Sequence, residues 1–137
     1  MNTILPALGL GLPHLIGQFA VTLGLLGVGI AAYMALTPFN ERQLVRDGNV
    51  AAGVVLAGTL LALAIPLAAT LAVNVFVLDI LIWGLVALMI QLATFMAASA
   101  MIRDLRRMIE AGNVAAALVL VGLEIAVAML NAGAMAG

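Results

Sequence analysis

The sequence predicts an all-α membrane protein in which four transmembrane helices form two parallel two-helix repeats, with both termini outside. Three observations lead to this prediction. Of the 137 residues, 66% are apolar and 8% are charged, whereas an average soluble domain is about 45–50% apolar and about 25% charged. The few charges lie in clusters that are separated by long uncharged stretches. One segment recurs 64 residues further along the chain.

Four apolar stretches are long enough to cross a bilayer, whose hydrocarbon core of about 30 Å needs about 20 residues of helix. We expect these spans at residues 14–36, 49–71, 79–101 and 113–135. Their continuous apolarity excludes barrel strands, which alternate in polarity. Residues 1–13 contain Pro6 and Pro13, so we expect them to form an irregular lead-in before the first helix.

The basic residues indicate how the chain crosses the membrane. All five lie in two connectors, with Arg42 and Arg46 in the first and Arg103, Arg106 and Arg107 in the third. The positive-inside rule therefore predicts that these connectors are cytoplasmic and that both termini are outside. The net charge of −1 leaves no basic field for a nucleic acid, so we expect none as a partner.

The two halves of the chain resemble each other. Residues 48–58 read GNVAAGVVLAG and residues 112–122 read GNVAAALVLVG, which match at 8 of 11 positions with an offset of 64. Each half holds two spans, so the two copies would share one orientation in the membrane. We interpret the chain as a duplication, with repeat units at residues 14–72 and 78–137. The alternative is chance similarity between two Ala/Val-rich segments.

The shared Gly-Asn pairs predict the local structure of both charged connectors. Gly48 and Gly112 can take the left-handed conformation that ends a helix. Asn49 and Asn113 can then cap the first amides of the next span. We therefore expect each connector to be a short interfacial helix, a sharp turn and a new span.

The arginines of these connectors have the spacing of a shared helical face. Arg42 and Arg46 are four residues apart, as are Arg103 and Arg107. Anionic lipid headgroups of the bilayer are the partners that we expect for them, and a peripheral cytoplasmic protein is a second candidate. The alternative is a solvated charged loop that only fixes the topology.

Three segments resemble the YjfL-like family of small bacterial inner-membrane proteins, which are built on a duplicated domain of unknown function. They read FNERQLVRDGNVAAGVVLAG (39–58), LDILIWGLVALMIQL (78–92) and IRDLRRMIEAGNVAAALVLVG (102–122). The resemblance covers about residues 14–135. It implies four spans, a multi-pass location in the bacterial inner membrane and a membrane-stress context. It carries over no catalytic residue.

Glu124 is the charged residue that lies deep inside a predicted span, whereas the other five acids lie at or near predicted helix ends. Placing a charge at the bilayer centre costs at least about 2.5–3.5 kcal/mol. Leu60 occupies the matching position of the first repeat. Asn131 lies two turns further along on the same face, and Gln91 lies at a similar depth in the third span. We expect the Gln91 amide and the Glu124 carboxyl to exchange two hydrogen bonds.

Three interpretations of this polar group remain open. The first is structural, because hydrogen bonds of this kind commonly join membrane helices. The second is a protonatable or cation-coordinating site in a transport pathway, since ionisable residues inside a membrane are functional candidates. The third is contact with a ligand or a protein partner.

Two polar residues lie at the predicted outer rim. Asp79 begins the third span, where a carboxylate caps free amides and complements the helix dipole. His14 begins the first span at nearly the same point of its repeat. A His14–Asp79 pair that senses pH or binds a cation is the alternative.

The first span also carries a stripe of small residues. A stripe of this kind lets another helix approach closely, either within the chain or from a second copy. The stripe consists of Gly17, Ala20, Gly24, Gly27 and Ala31. Together with the small volume that four helices enclose, it leads us to expect a homo-oligomer.

No enzyme template fits the sequence, which lacks cysteine, has one histidine and has no Gly-rich phosphate loop followed by lysine. We expect no catalytic activity, no cofactor and no metal. The preferred hypothesis is a small oligomeric channel or transport-related protein with Glu124 as its proton- or cation-sensitive element. The alternative is a non-conducting structural or adaptor protein of a bacterial membrane-stress system.

Overall fold

The computed structural model describes residues 3–37 and 39–137, and every regular element in those ranges is a helix. Four of these helices are long and apolar enough to cross a membrane, which confirms the all-α class and the four spans. The helices are α1 (Ile4–Leu36), α2 (Glu41–Arg46), α3 (Val50–Val73), α4 (Val77–Met101), α5 (Leu105–Glu110) and α6 (Val114–Ala136). The last three long helices begin and end within two residues of the expected spans.

The four long helices form a bundle in which successive long helices are antiparallel. Helices α1 and α4 run toward the end that carries α2 and α5, which we call the connector end, and α3 and α6 run away from it. The most extensive contact joins the parallel pair α3 and α6, and α1 packs on α3 and α4. Gly58 permits the close approach of α3 and α6, because a Cβ at this position would lie only 2.9 Å from Val121 Cβ.

Two clusters of buried apolar side chains fill the bundle. The cluster nearer the connector end includes Tyr33 and Phe95, whose rings meet edge to face with centroids 4.7 Å apart. The second cluster includes Leu25, Leu63 and Ile80 and lies toward the opposite end. The other sides of the helices expose large apolar residues, as expected for a protein whose outer surface faces lipid.

Both charged connectors have the structure that the Gly-Asn pairs predict. Gly48 and Gly112 have φ of +81°, a left-handed conformation that favours glycine. Asn49 Oδ1 accepts a hydrogen bond from the Ala52 amide at 3.0 Å, and Asn113 caps α6 in the same way. Asn49 also donates to the Ile109 carbonyl at 2.8 Å, so the first connector is tied to the second.

The expected irregular lead-in is wrong, because α1 begins at Ile4 and continues through Pro13. Pro6 lies in the first turn, where an amide has no partner within the helix, so proline costs little there. Pro13 removes one internal hydrogen bond from an otherwise continuous apolar helix. At about 1.5 Å per residue, the 33 residues of α1 are about 50 Å long.

Candidate functional site

The side chain of Glu124 lies in the interior of the bundle. Glu124 is near the middle of α6 and is 2% exposed. The Thr59 hydroxyl of α3 donates to its carboxyl group, at 3.1 Å to Oε2 and 3.3 Å to Oε1. Thr59 follows Gly58, so the glycine that brings α3 and α6 together also brings this hydroxyl to the acid. Thr59 was not singled out from the sequence, so this role was missed.

Gln91 and Asn131 join Glu124 as expected, but the expected carboxyl–amide pair is wrong. The Gln91 amide donates to the backbone oxygen of Glu124 at 3.3 Å, and Asn131 donates to Gln91 Oε1 at 3.3 Å. Side chains tilt toward the N-terminus of their own helix. Because α4 and α6 are antiparallel, Gln91 tilts away from the connector end and Glu124 tilts toward it.

A second buried acid, Glu41, lies at the connector end and was missed from the sequence. It is the first residue of α2 and is 2% exposed. Its Oε1 atom has no hydrogen-bond partner among the described residues. Burial raises the pKa of the Glu41 carboxyl, and the nearby side chains of Tyr33 and Thr37 offset part of this rise. The repeat carried a signal of this burial, because Leu105 lies 64 residues after Glu41 at the matching position of the second connector. Leu105 is the first residue of α5 and is buried.

Tyr33 lies between the two buried acids. Its side chain is fully buried and packs in one cluster with Phe39, two residues before Glu41, and with Val55, one turn before Thr59. Within the described part of the chain, the Tyr33 hydroxyl makes no hydrogen bond of favourable geometry. A set of buried polar side chains therefore runs along the bundle, and we call it the polar file. It consists of Glu41, Tyr33, Thr59, Glu124, Gln91 and Asn131.

Clefts lie at both ends of the bundle. At the connector end, a cleft of about 440 Å³ is lined by Met34, Thr37, Phe39, Asn40, Glu41 and Arg42. At the opposite end, a cleft of about 210 Å³ is lined by Thr70, Val73, Asn74, Trp83, Ala134 and Met135. Glu41, the first member of the polar file, thus lines the first cleft. Asn131, the last member, lies one turn before Ala134 on α6.

The outer-rim candidates do not form the pair that was considered. His14 Nε2 lies 3.1 Å from the Val75 carbonyl oxygen and 3.0 Å from the Gln18 amide, and no ion pair joins it to Asp79 among the described residues. Asp79 lies in the first turn of α4, where it complements the dipole. The expectation that Asp79 caps the start of α4 is wrong, because Phe76 is the N-cap residue and no described side chain caps this helix start.

The connector arginines are exposed, but only one of the two expected pairs shares a helix. Arg42 and Arg46 both lie on α2. Arg103 precedes α5, and Asp104 between them has a left-handed φ of 55°. The expected helical face of Arg103 and Arg107 is therefore wrong, because the helix starts only after the left-handed residue. Arg106 instead forms an exposed ion pair with Glu110 at 3.0 Å.

The small-residue stripe of α1 faces away from the bundle. Gly24, Gly27 and Ala31 are exposed, and a Cβ at either glycine would have no described atom within 4 Å. Helix α1 instead approaches α4 closely at Gly29, where a Cβ would lie 2.6 Å from Leu88 Cδ2.

Four apolar helices around a buried polar file define a small multi-pass helical membrane protein. The chain matches the family described as Domain of Unknown Function (DUF350) over residues 7–135, and it belongs to that family. It is also 32% identical over 117 residues to the UPF0719 inner membrane protein YjfL of Escherichia coli (strain K12). The match covers 85% of this chain and 89% of the relative, and the YjfL protein of Escherichia coli O157:H7 matches to the same extent.

No solved structure matches the chain. The family match and the YjfL relatives confirm the resemblance to the YjfL-like family. With its four spanning helices, the chain is a small integral protein of the inner membrane.

Proposed function

We propose that the chain is a small channel or transport-related protein of the bacterial inner membrane, in which Glu124 is the proton-sensitive element. The observation that carries this proposal is the placement of its carboxyl group at mid-helix in the interior, with Thr59 as its hydrogen-bond donor. The polar file extends the site from Glu124 toward both ends of the bundle.

The chemistry of the site favours proton exchange. All five arginines lie outside the four long helices, and the described hydrogen bonds to the Glu124 carboxyl come from a neutral hydroxyl. Loss or gain of one proton therefore changes the charge of the bundle interior, where low dielectric makes that change energetically large. Such a change can alter how α3 and α6 pack, since the acid lies at their contact.

The orientation belongs to this proposal and rests on the positive-inside rule. Both arginine-bearing connectors lie at one end of the bundle, which we assign to the cytoplasm, with both termini outside. The proposed duplication is supported by the like conformations of Gly48 and Gly112 and by the like caps of Asn49 and Asn113. We further propose that the chain forms homo-oligomers.

A non-conducting adaptor is the second candidate, and the exposed arginines at the connector end favour it. In that case these side chains would hold anionic lipid headgroups or a peripheral cytoplasmic protein. Glu124 would then only join helices.

Proton flux in proteoliposomes separates the two candidates. We expect purified wild-type protein to carry protons under a pH gradient or a membrane potential, and E124Q to lose that flux. E110Q, which removes an exposed carboxyl of α5, is the matched control and should retain it. Absence of flux from folded wild-type protein under every gradient would contradict the transport proposal and favour the adaptor.

A further inference from the structure

We infer that Glu124 exchanges its proton with the connector end through Glu41 and Tyr33, with Glu41 as the acceptor that faces the cleft. This inference rests on the proposed function, because it gives the route by which the proposed site is loaded. It assigns proton-transfer roles to Glu41 and Tyr33, neither of which forms a hydrogen bond to Glu124 in the structure.

The first step of the route lies at the surface of the bundle. Glu41 lines the connector-end cleft of about 440 Å³, so a proton can reach it from water. Its Oε1 atom nonetheless lacks a hydrogen-bond partner in the described chain. A buried carboxylate oxygen without a donor is costly, and a site of this kind is relieved when the carboxylate takes up a proton.

The second step uses the Tyr33 hydroxyl. The Tyr33 side chain packs in the same buried cluster as Phe39, which is two residues before Glu41, and Val55, which is one turn before Thr59. Its hydroxyl forms no hydrogen bond to a described residue, so the route requires it to form hydrogen bonds to Glu41 and Thr59 as the proton moves. A hydroxyl can accept one hydrogen bond while donating another. In this route Tyr33 takes the proton of Glu41 on its oxygen and gives its own hydroxyl proton to the Thr59 oxygen, while Thr59 gives its hydroxyl proton to the Glu124 carboxylate. The net change is one proton moved from Glu41 to Glu124, and Tyr33 ends neutral as it began.

The charged surroundings of Glu41 are few. The titratable and charged groups around it are Tyr33 of α1, Glu124 further along the polar file on α6, and Arg42, which lines the same cleft. Helix α4 contributes Phe95, which packs edge to face on Tyr33 and holds the ring in place. The hydroxyl is thus held at one position along the route.

The second connector has an apolar residue at the position that matches Glu41. Glu41 and Leu105 are the first residues of α2 and α5, and both are buried, at 2% and 4% exposure. An apolar residue serves the second connector, so the carboxyl of the first is available for another role. This comparison also supplies a variant, E41L, that copies the residue of the other connector.

The test follows the protonation of Glu124 by infrared spectroscopy after a pH jump, with protein in lipid nanodiscs. The carboxyl band is assigned by its absence in E124Q. We expect E41Q, E41L and Y33F to slow protonation of Glu124 by tenfold or more, with the final amplitude retained. Y33F keeps the ring and its contact with Phe95, and E110Q is the control that should keep the wild-type rate.

The outcomes distinguish the two proposals. Wild-type rates in Y33F and E41Q, with a Glu124 band that still titrates, would overturn the route and leave the proposed function standing. A Glu124 band that does not titrate in the wild type from about pH 3 to about pH 10, a range that extends to both sides of the ordinary glutamate pKa of about 4.3, would overturn both. A rate reduced equally in E110Q would also contradict the route, since that carboxyl is exposed.

Discussion

At the scale of single residues, the molecule combines an apolar composition with a few polar groups that are fully enclosed. Glu124 and Glu41 are both almost inaccessible, yet the sequence identified only the first. Glu124 was found because it interrupts an apolar run. Glu41 lies next to arginines at a helix start, where acids are ordinarily exposed, so local sequence predicted a solvated residue. Its burial results from tertiary packing of α2 on the bundle.

The hydrogen bond from Thr59 to Glu124 can be measured by mutation. We expect T59V to lower the free energy of unfolding in detergent by about 1–3 kcal/mol, because a buried carboxyl group loses its donor. T94V is the matched control, since Thr94 donates only to Ile90 of its own helix. In a double-mutant cycle, T59V should cost little stability when it is added to E124L, because the carboxyl that needs the hydroxyl donor is already absent. Additive losses in the double variant would contradict the contact.

Glu41 should make stability depend on pH. Its pKa in the folded protein is raised above the ordinary value of 4.5 by burial, so folding favours the protonated form. Relative to E41Q, the wild type should therefore lose stability as pH rises from about 4.5 through the raised pKa. Thermal unfolding of both proteins across this range measures the difference. A difference that stays constant with pH would indicate a solvated carboxyl, and a change of the opposite sign would indicate a folded-state pKa below the ordinary value; either result would contradict the prediction.

At the scale of elements, the two Gly-Asn connectors were predicted in detail, because their conformations are set by local chemistry. The start of α1 was not predicted correctly, because two prolines near the N-terminus are typical of irregular chain. In the structure the apolar helix continues through both of them. The partners of Gln91 and Glu124 also escaped prediction. Spacing gives the depth of a residue in a bundle, but not the direction in which two antiparallel helices aim their side chains.

The contact between α3 and α6 depends on Gly58. We expect G58A to lower the free energy of unfolding by about 1–3 kcal/mol, because the new methyl group overlaps Val121. Gly122 lies 64 residues further on, and a Cβ added there would have no neighbouring side chain of the described residues within 4 Å. G122A should therefore be neutral or stabilising by up to about 1 kcal/mol. Equal effects of the two substitutions, measured by detergent unfolding, would contradict the close approach.

The two capping asparagines should differ in their contribution to stability. Loss of a cap costs about 0.5–2 kcal/mol, and this loss is common to N49A and N113A. Asn49 also donates to the Ile109 and Glu110 carbonyls of the other connector. We therefore expect N49A to cost about 1 kcal/mol more than N113A. Identical losses in the two variants would indicate that the bond between the connectors contributes nothing.

At the scale of the whole molecule, the proposed orientation can be read by labelling, since the chain contains no cysteine. A single cysteine at Gly137 should react with a membrane-impermeant maleimide on intact spheroplasts. One at Ala111, in the second arginine-bearing connector, should react only after permeabilisation. Labelling of A111C before permeabilisation would reverse the assignment of the cytoplasmic side.

The length of α1 has a consequence for how the protein would experience its membrane. The helix is about 50 Å long, whereas the hydrocarbon core measures about 30 Å. His14 and Gln18 hold α1 to the Val75 carbonyl, two residues before α4. These bonds oppose sliding of α1 along the bundle, which would otherwise distribute its excess length between the two sides of the membrane. Hydrophobic mismatch therefore falls on one side, where a thicker bilayer would submerge residues 4–13 and a thinner one would release them.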